Sequence, residues 1–263
     1  MSKNTIGRLG PIEAQIIARL TYEATTLVSA EELDKIFKLS AVDRAKVVSR
    51  LKKKNILFPI KRGLYIFSPL ESGPSGRSID EMLIPSLYLP NDNYYIGYST
   101  MFNSYGFSEQ IFQTMYVLNT SFNKRKSICG ISFKFLKIPE NRMYGIKTIK
   151  VKERDVMISD KERTLIDLLY FNKPVGGVFA SSEIFKRVVQ GKQCNIKKII
   201  GYASKFPNVT IRKRVGVLLE SAGISELDLK PLFRSVKNTA ISSLGKTRKG
   251  KLSKKWRVII DAS

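Results

Sequence analysis

Between Ser40 and Phe67 the chain sets a short helix pattern directly before a tight strand–turn–strand pattern, and both are studded with cations. Few folds accommodate that order. Ala45, Val48 and Leu51 recur at steps of three and Val47 widens the stripe, which predicts a helix over 41–53 with one apolar face. Lys46, Arg50 and Lys53 occupy the opposite face with Ser49 among them, while Arg44 projects nearer the stripe and reaches out from the first turn. Ile56-Leu57-Phe58 and Leu64-Tyr65-Ile66-Phe67 flank Lys61-Arg62-Gly63, where glycine supplies the positive φ that a tight hairpin requires. Helix and hairpin together outline a winged helix-turn-helix. Such a helix fits a major groove, and a cationic turn straddles the neighbouring phosphates.

The preceding residues complete that module. Ile12, Ile16 and Leu20 share a stripe behind Pro11, a residue suited to the first helical position. Ser29-Ala-Glu-Glu32 forms a capping box followed by Leu33, Ile36 and Phe37 at helical spacing, and Ser40 suits the N-cap of the basic helix. Residues 1–70 are therefore expected to form a winged helix-turn-helix DNA-binding domain. Gly, Pro and Ser in Glu-Ser-Gly-Pro-Ser-Gly-Arg mark a linker at 71–78.

Residues 79–263 are expected to form a larger mixed α/β domain. Strands are predicted at 94–96, 114–118 and 128–138, with one long strand or a pair at 147–157 and a closing strand at 256–260. Helices are predicted at 99–105, from the capping box Ser159-Asp-Lys-Glu162 onward, and at 182–190, 195–205 and 208–220. Gly216 lies inside the last of these and would permit close approach by another element. Lys, Arg and Gly between 245 and 255 suggest a mobile basic loop. The fold class expected is thus α+β, an N-terminal winged helix-turn-helix followed by a larger mixed α/β C-terminal domain.

Charge narrows the partners. Lys and Arg number 46 against 22 Asp and Glu, a net +24, which favours nucleic acid first and an anionic membrane surface second. The chain has no histidine, which removes Ser-His-Asp triads, Cys-His dyads and His-ligated catalytic zinc. Cys129 and Cys194 stand far apart without a metal-binding motif, as buried thiols in a reducing compartment would. Asp160, Glu162 and Asp167 are the carboxylates a Mg²⁺-dependent nuclease would need. Asp160 and Glu162 suit a helix first turn, however, and Arg163 and Asp167 can pair at i, i+4. No catalytic residue, metal or cofactor is predicted. The first residues lack a signal-peptide core and the apolar run 165–171 is short and broken by Asp167, so a cytoplasmic protein without membrane association is expected.

The candidate DNA contacts are Arg44, Lys46, Ser49, Arg50, Lys53, Lys61 and Arg62. Arg163, Arg212, Lys213 and Arg214 form a candidate second, phosphate-contacting surface. Two other readings compete: a metal-dependent nuclease with a winged-helix targeting domain, and an RNA- or tRNA-binding protein that uses the C-terminal cations.

Several phrases in order carry a resemblance. They are Val48-Ser-Arg-Leu-Lys52 through Arg62-Gly-Leu-Tyr65, Tyr95-Ile-Gly-Tyr-Ser99 with Gly106-Phe107, and Ile158-Ser-Asp-Lys-Glu-Arg-Thr-Leu-Ile-Asp167. Lys213-Arg-Val-Gly-Val-Leu-Leu-Glu220 and Trp256-Arg-Val complete the set. On these residues the chain resembles the AbiEi family, the antitoxins of type IV toxin–antitoxin systems linked to abortive phage infection. The resemblance implies an N-terminal winged helix that binds inverted repeats in its own operon promoter, with 41–53 as recognition helix and Lys61-Arg62 as wing tip. It also implies a C-terminal domain that antagonises a nucleotidyltransferase-like toxin, often without a stable complex, and repression without catalysis. Tyr105 stands where members often carry histidine. A single winged helix reads few base pairs, so two copies on an inverted repeat are the expected arrangement.

Overall fold

A computed structural model describes residues 9–68, 80–90, 93–152, 154–245 and 250–260. The 71–78 linker and residues 246–249 of the predicted basic loop lie outside them. The fold is α+β, with mixed helices and sheets. Its backbone groups into two units: Met1–Asn91 with Arg125–Phe133 and Lys150–Val156, and Asp92–Lys124 with Lys134–Ile149 and Met157–Ser263.

The first unit opens with α1 (Pro11–Tyr22), β1 (Leu27–Ser29), α2 (Ala30–Phe37), α3 (Ala41–Lys53), β2 (Leu57–Lys61) and β3 (Leu64–Phe67). Ser29 and Ser40 cap α2 and α3 by accepting from Glu32 N–H and Asp43 N–H, each at 3.1 Å. The strands form a sheet in the order β1-β3-β2, antiparallel throughout. Three-residue β1 carries too little alternation to be visible in the sequence. Pro59 is tolerated because β2 is an edge strand whose register shifts between Pro59 and Lys61. Lys61 pairs with Leu64 as the last residue of β2, so the turn is Arg62-Gly63, with Gly63 at φ 72°. The Gly63 carbonyl accepts from Ala30 N–H at 2.7 Å and ties the turn to the start of α2. Ile16, Leu20, Val28, Leu33, Val48, Leu51 and Phe67 share one core. Ala45 and Ile12, placed on buried stripes by their spacing, are exposed; the buried residues of α3 are Val47, Val48 and Leu51. A 3₁₀ turn (Glu81–Leu83) leads into α4 (Ile84–Tyr88).

Next come β4 (Tyr94–Gly97), α5 (Ser99–Ser104), β5 (Thr114–Asn119), β6 (Lys124–Ile128), β7 (Ile131–Lys137), β8 (Ile146–Val151) and β9 (Arg154–Ser159). They belong to a six-stranded sheet of order β6-β7-β5-β4-β9-β8. The single strand predicted over 128–138 is interrupted by Cys129-Gly130, both with positive φ (52° and 75°), which form the two-residue hairpin turn between β6 and β7. The predicted 147–157 segment is a strand pair.

Helices α6 (Lys161–Tyr170), α7 (Val178–Gln190), α8 (Ile196–Lys205), α9 (Val209–Ser221) and α10 (Glu226–Arg234) follow. The start of α6 is one residue later than its capping box suggests. Asp160 is the cap and accepts from Arg163 N–H at 2.8 Å, while Ser159 ends β9. Helix α10 went unpredicted because Pro231 and its charged residues blur the periodicity. Leu165, Ile166, Leu168 and Leu169 of α6 are fully buried in a core with Phe185, Ile199, Val215 and Leu229. The chain closes with β10 (Ser242–Ser243), β11 (Lys251–Ser253) and β12 (Val258–Ile260) in the order β10-β12-β11. Part of the predicted basic loop is therefore strand. No helix among the described residues is long and apolar enough to cross a membrane.

Candidate nucleic-acid interface

The buried residues of α3 fix what its other face presents. With Val47, Val48 and Leu51 inward, Val42, Lys46, Ser49 and Lys53 form an exposed row at steps of four, three and four. Arg50 and Lys52 flank that row on opposite sides, and both are exposed. Lys61 and Arg62 are exposed at the β2–β3 turn. Between α3 and this turn runs a groove of about 540 Å³, lined by Arg44, Ser49, Lys52, Arg62, Gly63 and Tyr65 among others. Glu31, at the start of α2, also lines it. Sequence spacing missed Lys52 because it falls off the central row; its place in the groove depends on where the hairpin folds back.

Two of the candidate cations are partly committed within the unit. Arg44 bridges to Asp34 and ties α3 to α2. Arg50 approaches the buried Glu13 carboxylate at 3.6 Å while its own side chain stays 63% exposed. Lys54 is the closer partner of Glu13 at 2.5 Å, and Gly10 N–H donates at 3.3 Å. Burial pushes the Glu13 carboxyl up, but Lys54, Gly10 N–H and Arg50 outweigh it and hold the group below the usual carboxylate range. At the base of the turn, Lys126 of β6 donates to the Ile60 carbonyl.

The second predicted surface, Arg163, Arg212, Lys213 and Arg214, does not form one. Arg163 is fully buried on α6. It pairs with Asp167 at 3.1 Å and donates to the Arg142 and Tyr144 carbonyls at 2.7 and 2.9 Å and to Tyr95 OH at 2.8 Å. Its guanidinium lies 4.6 Å from the Tyr144 ring centroid. Burial raises the Asp167 carboxyl above its ordinary value, with Arg163 pulling the other way. Lys213 is also fully buried and donates to the Ala240 and Arg257 carbonyls, the latter at 3.1 Å. Arg212 donates to Phe206 O at 2.5 Å and to Ser235 O at 3.3 Å, the C-caps of α8 and α10. Arg214 donates to Leu169 O in the last turn of α6 at 3.3 Å. These cations spend their donors on carbonyls at helix ends and loops, where the helix dipole favours positive charge.

The carboxylates weighed for Mg²⁺ are engaged in the same way. Asp160 accepts from Lys198 Nζ and Tyr202 OH, both at 2.9 Å, and Glu162 accepts from Asn195 N–H at 2.9 Å. Among the described residues no three His, Cys, Asp or Glu are grouped to hold a metal ion. Cys129 and Cys194 are half-buried free thiols, and burial pushes the Cys129 thiol up to about 11.

No family model matches the sequence, and no curated protein matches it. Among solved structures, the crystal structure of the RV2827C protein from Mycobacterium tuberculosis superposes with a TM-score of 0.66 at 11% identity. The match covers 96% of this chain and 92% of that one, so the two share a fold.

Proposed function

We infer that the chain is a DNA-binding antitoxin and autorepressor of a type IV toxin–antitoxin system, acting in the cytoplasm without catalysis. The observation that carries the DNA-binding part is the set of exposed cations on the outer face of α3 and at the Arg62 turn, with the groove between them lined by Arg44, Lys52 and Arg62. Several features support reading it as a winged helix-turn-helix. The element order is helix, strand, helix, helix and a two-stranded wing. Helices α2 and α3 are joined by the three-residue turn 38–40, with Lys38 left-handed at φ 50°. On this reading α3 enters the major groove, the phosphate strand runs along the groove past Ser49, Lys52 and Arg62, and Lys61 and Arg62 reach the flanking backbone.

The antitoxin role rests on the AbiEi resemblance, whose phrases the fold gathers in places. Gly216 from one of them packs against Trp256 from another. A repressor of this type binds as two copies on half-sites about 34 Å apart or a multiple of that spacing. The test is fluorescence anisotropy of the chain on its own promoter and on random duplex of equal length. Tighter promoter binding, weakened by Lys46→Ala and Arg62→Ala, is expected; equal affinity for both duplexes defeats the repressor reading. Co-expression with the nucleotidyltransferase-like product of an adjacent reading frame tests the antitoxin half, with restored growth expected.

A further inference from the structure

Val42 is unusual among the outer residues of α3. It lies in the first turn, it is 64% exposed, and it shares a face with Lys46 and Ser49. Ala45, three residues on, turns instead into the groove beside Glu31 and Arg62, so Val42 is the apolar side chain left on the outer row. A β-branched residue gains nothing for a solvated helix, since it loses rotamer freedom there. Asp43, the carboxylate next in sequence, lies on another side of the helix and accepts a hydrogen bond from the Ser40 hydroxyl at 2.6 Å.

We propose that Val42 reads the C5-methyl group of a thymine in the major groove, making it a specificity-determining residue for a T-containing half-site. The proposal rests on the reading of α3 as the recognition helix. The N-terminal residues of such a helix reach the base edges, and the thymine methyl is the apolar group that the major-groove edge displays. Lys46 and Ser49, one and two turns further along, hold the helix against phosphate and base while the Val42 side chain covers a methyl. Cytosine methylated at C5 presents the same group at the same place, so the two sources need separate arms.

The experiment selects duplexes from random pools, one unmodified and one methylated at cytosine C5, with the full chain. Affinity is then measured on the selected site and on copies in which each thymine in turn is replaced by deoxyuridine, which removes only the methyl. Wild type is expected to weaken about fourfold at one or two positions, the change that exposing one methyl group gives. Val42→Ala, checked for an unchanged melting temperature, is expected to bind the thymine site more weakly and to be indifferent to deoxyuridine at those positions. Wild-type indifference to deoxyuridine everywhere overturns the proposal, as does a Val42→Ala variant that remains equally sensitive. Enrichment confined to methylated cytosine overturns the thymine assignment. A chain that enriches no sequence from either pool overturns the recognition-helix reading itself, and this proposal with it.

Discussion

Arg50 and Lys46 sit one turn apart on α3 and have different surroundings, so they are expected to fail differently. Lys46 stands in the middle of the exposed row, where an ammonium acts as a point charge toward phosphate. Lys46→Ala is expected to weaken binding alike on promoter and random duplex and to lower the salt slope by about 1. Arg50→Ala is expected to cost about 1–3 kcal/mol on the selected site alone if its guanidinium grips a guanine. Equal loss on random duplex would place Arg50 among the phosphate contacts. Glu13, which steadies Arg50 and Lys54, makes a pH-dependent contribution. Its carboxyl is held below the ordinary glutamate value of 4.5, so the stabilisation is complete above that pH and is lost as acid titrates the folded-state group. Urea titrations of wild type and Glu13→Gln should differ at pH 7 and converge at lower pH; a gap that persists in acid would mean Glu13 acts through packing alone. At this scale the sequence was legible where a contact is local. The Arg163–Asp167 pair follows from i, i+4 spacing. That both groups are buried does not, because Tyr95, Arg142 and Tyr144 arrive from distant segments.

Elements were legible where caps and periodicity agree, as in α1, α2 and α3, and failed where a tertiary partner decides. The run Arg212-Lys213-Arg214 reads as a charged surface, yet its partners are the ends of α6, α8 and α10, whose positions no local pattern reveals. Gly216 is the counterexample, since a glycine inside a strong helix pattern signals a close neighbour. That neighbour is Trp256, fully buried, with its indole N–H donating to Glu220 at 2.7 Å. A Cβ on residue 216 would stand 2.3 Å from the indole ring. Gly216→Ala gains about 1 kcal/mol of helix propensity but must displace the ring, so a net destabilisation of about 1–3 kcal/mol is expected. Thermal melting checks the sign, and Trp256 fluorescence, the chain's single tryptophan, reports whether the ring has moved. An unchanged or raised melting temperature would show that the indole ring yields to a Cβ at 216 without cost.

At the scale of the whole molecule, net charge overstates the cations available to an anionic partner. Of the +24, Arg163, Arg212, Lys213 and Arg214 are bound to the protein's own carbonyls and carboxylate, and Arg44 is bridged to Asp34. With Arg50 set aside as the candidate base contact, the exposed cations on α3 and its turn that the proposed reading offers to phosphate are Lys46, Lys52, Lys53, Lys61 and Arg62. If all of these close on phosphates, the slope of log affinity against log salt is about −4.5 for each copy, since every neutralised phosphate releases about 0.9 counterion. A pair on an inverted repeat would double that to about −9. Alanine at Arg212 or Arg214 should lower the melting temperature and leave the slope unchanged, because those guanidinium groups are engaged with the carbonyls of Phe206, Ser235 and Leu169. Slopes measured at several salt concentrations on a one-half-site and a two-half-site duplex separate the cases. A single-site slope near −9 would show that cations beyond α3 and the turn also grip the backbone, with Arg125 in the first unit the nearest in kind. A slope near zero would remove this surface from DNA binding altogether.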